Sequence, residues 1–337
     1  MSERRSPYIV GAAYDWAFFL LPPVLSLAIG IDIARTNFTD HVFELAGHKY
    51  TAAELMIGTL IQAHLVAVLV RSHANAGVRR RHPIRFLVVP VAMWAAIAFS
   101  ARVAVAATIV ATFWDVWHSG AQTFGFARIY DRNQGNSPET GRTLDLWANQ
   151  LLYAGPILAG VRLIDHVRHL GDFEDVGVTL FSRTPAFVLG HQRYLTWTVI
   201  LGGTAFLAFY VAYYVRLHAR GYRVSPQKVF LITTTGACSI YSWGLDSWGE
   251  AFFIMNLFHA VQYLALVWHT EQGTIARTLR LRGWPALAIF LGGVISYGFV
   301  AELLDSKRQA LWAVTIVVSL IHFWYDGFIW SVKRQQI

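Results

Sequence analysis

The chain reads as an all-α protein, a polytopic transmembrane helical bundle of about 10 spans, with residues 1–337 in a single integral-membrane domain and both termini cytoplasmic. Three observations predict this. Of 337 residues, 55% are hydrophobic and 14% charged, against about 25% charged in a soluble domain. Ten apolar runs approach or exceed the roughly 20 helical residues that cross ~30 Å of hydrocarbon. Lys and Arg alternate between successive connections as the positive-inside rule requires.

The first run, 14–34, follows the polar segment Met1 to Pro7 and carries no small-residue cleavage site, so it is read as a span and not as a removable signal. Runs at 52–72, 84–100, 103–127 and 144–163 follow, the one at 84–100 being short. The longest connection, 164–194, holds Asp165, Asp172, Glu174 and Asp175 with Gly and Pro punctuation, as expected of a solvated external loop or short surface helix. The remaining runs are 195–216, the short 228–243, 250–270, 284–303 and 310–331. Trp16, Trp147, Trp248, Trp284 and Trp330 stand near run ends, where indoles anchor the membrane interface.

Counting charges tests the number of runs. Nineteen of the 28 Lys and Arg fall on one side, among them Arg71, Arg79 to Arg81, Arg128, Arg220 and Lys228, and nine on the other, including Arg35, Lys49 and Arg102. The richer side is assigned to the cytoplasm, most simply of an inner or plasma membrane. This placement also accounts for the formal charge of +8, and no nucleic-acid partner is expected because the basic residues sit in short loops between apolar runs. The single cysteine, Cys238, excludes a disulfide framework, a thiolate zinc site and an iron–sulfur cluster.

Within the apolar runs lie His64, Asp115, His118, His259 and His322, with Asp326 one turn beyond His322. At 1.5 Å per residue all fall in a slab of roughly 5–8 Å, from the midplane toward the cytoplasm. Ionisable groups are costly there and persist where they pair, move protons or hold a metal. Residues three and four apart share a helix face, so Asp115, His118 and Gln122 form one stripe, His259, Gln262 and Tyr263 another, and His322 with Asp326 a third. Each stripe offers an imidazole beside polar groups able to fix its tautomer. The metal ligands expected are His64, Asp115, His118, His259, His322 and Asp326. Asp115, Asp326 and Tyr263 are the candidate catalytic groups, and Gln122 and Gln262 are expected to support the cofactor or steer substrate. His73 and His269 make a weaker second layer, since nine and ten residues of helix turn them away from His64 and His259.

Imidazoles and carboxylates without thiolate suit iron, as one or two ions, with another first-row metal as the alternative. Apolar surroundings would admit a lipid-like substrate and exclude water. The segments NLFHAVQYLALVWH, FWDVWHSGAQ and HFWYDGFIW resemble histidine-rich integral-membrane non-haem iron enzymes, the class of lipid desaturases, hydroxylases and bacterial carotene-cleaving oxygenases. The resemblance implies an oxidoreductase acting on a hydrophobic small molecule, with membrane lipids around it and a cytoplasmic electron donor. The chain has no HH pair, and aspartate stands where a second histidine would be expected. Two further readings use the same residues: a proton- or metal-coupled transporter with an ionisable relay, and a haem-binding electron carrier with axial histidine pairs. Separately, RIYDRNQGN, with Arg128, Asp131, Arg132 and Asn136, reads as a positive-inside loop or as a site for a phosphate head group or redox partner.

Overall fold

The computed structural model describes residues 6–36, 38, 40–168, 170, 182–304 and 309–330. Asp172, Glu174 and Asp175 of the acidic connection, and Arg4, Arg5, Lys307, Arg308, Lys333 and Arg334 of the charge count, lie outside the described residues.

The fold is all-α apart from one hairpin, and every apolar run is helical. In order the elements are α1 (Ala12–Asp15), a π-helical turn Trp16–Leu20, α2 (Pro22–Ile33), β1 (Val42–Leu45), β2 (His48–Thr51), α3 (Ala52–Val66), a second π-helical turn Val70–Ala74, and α4 (Ala76–Arg79). Then come α5 (Pro83–Phe99), α6 (Ala101–Asn133), α7 (Arg142–Ala159), α8 (Leu163–Val167), α9 (Thr184–Ala219), α10 (Pro226–Leu245), α11 (Trp248–Leu279), α12 (Trp284–Glu302) and α13 (Gln309–Ile329).

Five helices are long and apolar enough to cross a membrane: Ala52–Ala74, α9, α11, α12 and α13. The pair Ala12–Leu20 and Pro22–Ile33 makes a sixth if its 46° bend belongs to one span. Pro22 and Pro23 cause the bend, because neither has an N–H to bond the preceding turn; Leu21 N instead reaches back to Trp16 O at 3.0 Å. These helices suggest a membrane protein.

The chain contacts group into two units, one of residues 31–115 and 256–337 and the other of 1–30 and 116–255. In the first, the hairpin was not foreseen. Its turn residues Ala46 and Gly47 have φ of 54° and 84°, the left-handed pair that a type I′ turn needs. Ala-Gly lacks the Asn-Gly signature of that turn, so the sequence hides it. Thr51 then caps α3 through a reciprocal box with Glu54, whose N–H donates to Thr51 Oγ1 at 3.2 Å while Thr51 N–H donates to Glu54 Oε2 at 2.7 Å. α3 packs against α12 through small residues. A Cβ at Gly298 would strike the Thr59 carbonyl and Ala63, and one at Gly58 the Glu302 carboxylate, so the backbones approach as small-residue helix pairs do in membranes. α13 lies on α5, where Trp94 Nε1 donates to Ala310 O at 2.8 Å and Tyr325 Oη to Arg85 O at 2.8 Å.

The second unit is tied by a buried ionic cluster. Lys228 Nζ lies 2.7 Å from Asp131 Oδ2 and 2.8 Å from Asp145 Oδ1, and Arg128 pairs with Asp145 and donates to Pro138 O at 2.8 Å. Tyr210 and Tyr214 donate to Asp145 at 2.8 and 2.7 Å, and Tyr222 to Asp131 at 2.6 Å. All four charged side chains are buried. Two cations oppose two carboxylates and the phenols occupy further lone pairs, the condition under which buried charge is tolerated. This corrects the reading of RIYDRNQGN as a head-group or partner site. Arg128 and Asp131 are committed to the cluster, and Asn136 donates to Arg223 O at 2.8 Å and Asp131 O at 3.1 Å.

Candidate metal centre

In the unit of residues 31–115 and 256–337 three helices each bring one histidine to a common point: His64 from α3, His259 from α11 and His322 from α13. Their nearest ring nitrogens all lie within 4.8 Å of one another, and all three rings are buried. His64 stands between the others, its ring centroid 5.0 Å from His259 and 5.1 Å from His322, both edge-on. Nitrogens held by one ion at ~2.1 Å stand roughly 3–4 Å apart, so side-chain rotations on the order of 1 Å would bring the three onto a single metal.

His322 Nδ1 is 3.1 Å from the Leu65 carbonyl oxygen. A carbonyl only accepts, so Nδ1 carries the proton and Nε2 presents its lone pair. Both ring nitrogens of His64 are buried without a well-aligned hydrogen bond in the protein, although the Leu60 and Ile61 carbonyls of its own helix stand within reach of the ring. A buried polar group of that kind is costly unless something else satisfies it, and a metal would do so.

Around the histidines the polar residues fall into order. Tyr263, 4.5 Å from His322 between ring centroids, donates its hydroxyl to Asp326 Oδ1 at 2.9 Å. Trp330 Nε1 donates to the same oxygen at 2.8 Å. Asp326 Oδ2 is 3.7 Å from His322 Nε2, one turn away on α13. Gln262 is fully buried on α11, and Asn256 continues its stripe one turn before His259, also buried. Sequence reasoning passed over Asn256, although its i−3 spacing from His259 was visible in NLFHAVQY.

Asp115 is half-buried on α6 and, among the described residues, does not belong to the three-histidine group. His118 and Gln122 belong to the unit of residues 1–30 and 116–255; His118 is buried and shares a buried polar stretch of α6 with Ser119 and Thr123. His73 is engaged at both nitrogens, by Ser72 Oγ and the Phe86 carbonyl at 2.8 Å each, and neither it nor His269 belongs to a metal-capable group among the described residues. An H-x-x-H spacing that the sequence reading overlooked, His166 and His169, is no exception as far as it is described. His166 Nε2 bonds the Trp243 carbonyl at 2.9 Å, and His169 lies outside the described residues.

Two residues change role. Trp330, read as an interface anchor, holds Asp326. Arg71, counted among the positive charges of the cytoplasmic side, is buried and paired with Glu271 at 2.7 Å. No family model, curated protein or solved structure matches the chain.

Proposed function

We propose that the chain is a multi-pass membrane metalloprotein of about ten spans with both termini in the cytoplasm, and that His64, His259 and His322 hold its metal. Asp326 is the carboxylate that completes or orients the set. Non-haem iron is the first choice, because three imidazoles with one carboxylate and no thiolate suit iron that activates oxygen. The function that follows is an oxidoreductase in an inner or plasma membrane. It acts on a lipid-like or other hydrophobic substrate drawn from the bilayer and receives electrons from a cytoplasmic donor.

The observation that carries this reading is the burial of His64 between two other imidazoles with no well-aligned hydrogen bond at either of its nitrogens. Iron bound there supplies the redox chemistry. The chain's own groups do the rest. Leu65 O fixes the His322 tautomer, Tyr263 and Trp330 hold Asp326, and the buried core of Ala63, Ala67, Val317 and Ile321 keeps water from the centre. Asp115, on α6 and in the same unit, remains a proposed contributor.

A haem between two of these histidines is disfavoured, since a macrocycle must pass between axial imidazoles and these rings touch edge to face. The transporter reading uses the same histidines and carboxylates as an ionisable relay. Metal analysis together with an optical spectrum of the purified protein tests the assignment. Near-stoichiometric iron without a Soret band supports it; a Soret band or metal-free active protein sinks it.

A further inference from the structure

We propose that Arg71 is a positioning residue that acts through Trp330 to aim the Asp326 carboxylate at the metal centre; the proposal rests on the reading of His64, His259 and His322 as ligands. Arg71 lies in the π-helical turn Val70–Ala74 that prolongs α3, a kind of turn that recurs at functional sites. Its guanidinium meets Glu271, Ile329 and Trp330. Nη1 pairs with Glu271 Oε1 at 2.7 Å, Nε donates to the Ile329 carbonyl at 3.1 Å, and Cζ stands 4.0 Å over the Trp330 ring. Glu271 is held from its other oxygen by Asn75 Nδ2 at 2.9 Å.

Each contact has a consequence for Asp326. Ile329 is the last residue of α13, and its carbonyl is one of those a helix end leaves without an intrahelical donor, so Arg71 caps the helix that carries His322 and Asp326. The flat guanidinium over the indole sets the plane of Trp330. In that plane the indole N–H meets Asp326 Oδ1 at 2.8 Å, and Tyr263 takes the same oxygen at 2.9 Å. Both donors meet Oδ1, and Oδ2 faces His322 Nε2 at 3.7 Å. Glu271 balances the charge of Arg71, and the attraction that still reaches Asp326 acts together with orientation, a task for the rigid planar fork of arginine and not for the point charge of lysine.

Cobalt(II) serves as the probe, because its d–d absorption reports the ligand set. The full-length protein in detergent is titrated with cobalt(II) alone. Asp326→Asn should change the band positions and intensities. Trp330→Phe keeps a ring under Arg71 and removes only the N–H, so it should fold, show the same kind of spectral change and bind cobalt(II) about 10–100-fold more weakly. Arg71→Lys should move the spectrum in the same direction. Wild-type spectra and affinities in Trp330→Phe and Arg71→Lys, or in Asp326→Asn, would overturn the proposal. If His64→Ala, His259→Ala and His322→Ala lose cobalt(II) while those variants do not, the metal reading stands and only the role of Arg71 falls. A wild-type protein that binds no cobalt(II), or triad variants that bind it normally, would remove both.

Discussion

His322 donates from Nδ1 to the backbone carbonyl of Leu65 at 3.1 Å, and Leu65 follows His64 directly. One bond therefore fixes the tautomer of one candidate ligand and sets the register of α13 against the residue beside another. Losing any single imidazole leaves too few ligands. His64→Ala, His259→Ala and His322→Ala should each remove nearly all bound metal, measured by elemental analysis of purified protein with circular dichroism as a folding control. Full metal content in all three folded variants would make the cluster a packing or relay feature.

The close approach of α3 and α12 depends on Gly298, whose missing side chain admits the Thr59 carbonyl. Gly298→Ala should separate the helices and destabilise the protein by about 1–3 kcal/mol, the cost of overpacking. Ala301→Gly, at a buried position on the same helix, should cost no more than ~1 kcal/mol through helix propensity. Equal melting temperatures for wild type and Gly298→Ala would show that this contact is not tight.

How far the sequence could be read follows from these residues. Apolar runs specify helices wherever they occur, and of the six residues read at one level His64, His259 and His322 lie together. Tertiary pairing was not legible. Nothing in the order of residues says that Arg71 meets Glu271 or that Lys228 meets Asp131 and Asp145, since the partners are far apart in the chain and a basic residue at a run end looks the same whether solvated or buried. The same limit hid Trp330, whose indole serves an interface belt or a carboxylate equally well from its position alone. The Ala46–Gly47 hairpin was missed for a different reason: its turn chemistry is atypical, and its four-residue strands are too short to show alternation.

The ionic cluster makes a quantitative prediction. Lys228→Met leaves Asp131 and Asp145 with only Arg128 to balance them, and breaking a buried pair from one side costs about 3–5 kcal/mol. The double variant Lys228→Met with Asp131→Asn restores charge balance and should be more stable than the single one, as followed by thermal denaturation in detergent. If the single variant melts like wild type, the cluster adds no net stability to the unit it ties.

Asp246, between α10 and α11, has its carboxyl pushed up to about 6, first by burial and then by the neighbouring Glu250, with Arg162 opposing. A carboxyl raised in the folded state leaves folding unaffected while it is protonated in both states and disfavours it once ionised. Its effect on stability is therefore absent below the unfolded value near 4, turns unfavourable as pH rises from there to about 6, and stays so above. Asp246→Asn should raise the melting temperature at pH 7.5 and leave it unchanged at pH 4. A variant without effect at pH 7.5 would show that water screens the group.

The arrangement of the membrane spans can be tested with cysteine labelling, the native Cys238 being buried. Gly77 and Arg220 are exposed on connections assigned to the cytoplasm, and Glu44 is exposed on β1 in a connection assigned to the opposite side. In intact cells an impermeant thiol reagent should label Glu44→Cys and spare Gly77→Cys and Arg220→Cys until the membrane is opened. The depth argument depends on this outcome. His64 lies between Glu44 and Gly77 in sequence, so its run must cross the bilayer for the histidine to sit at the level of His259 and His322. Labelling of Gly77→Cys together with Glu44→Cys would place both ends of that run on one side and end the proposal of a centre within the membrane.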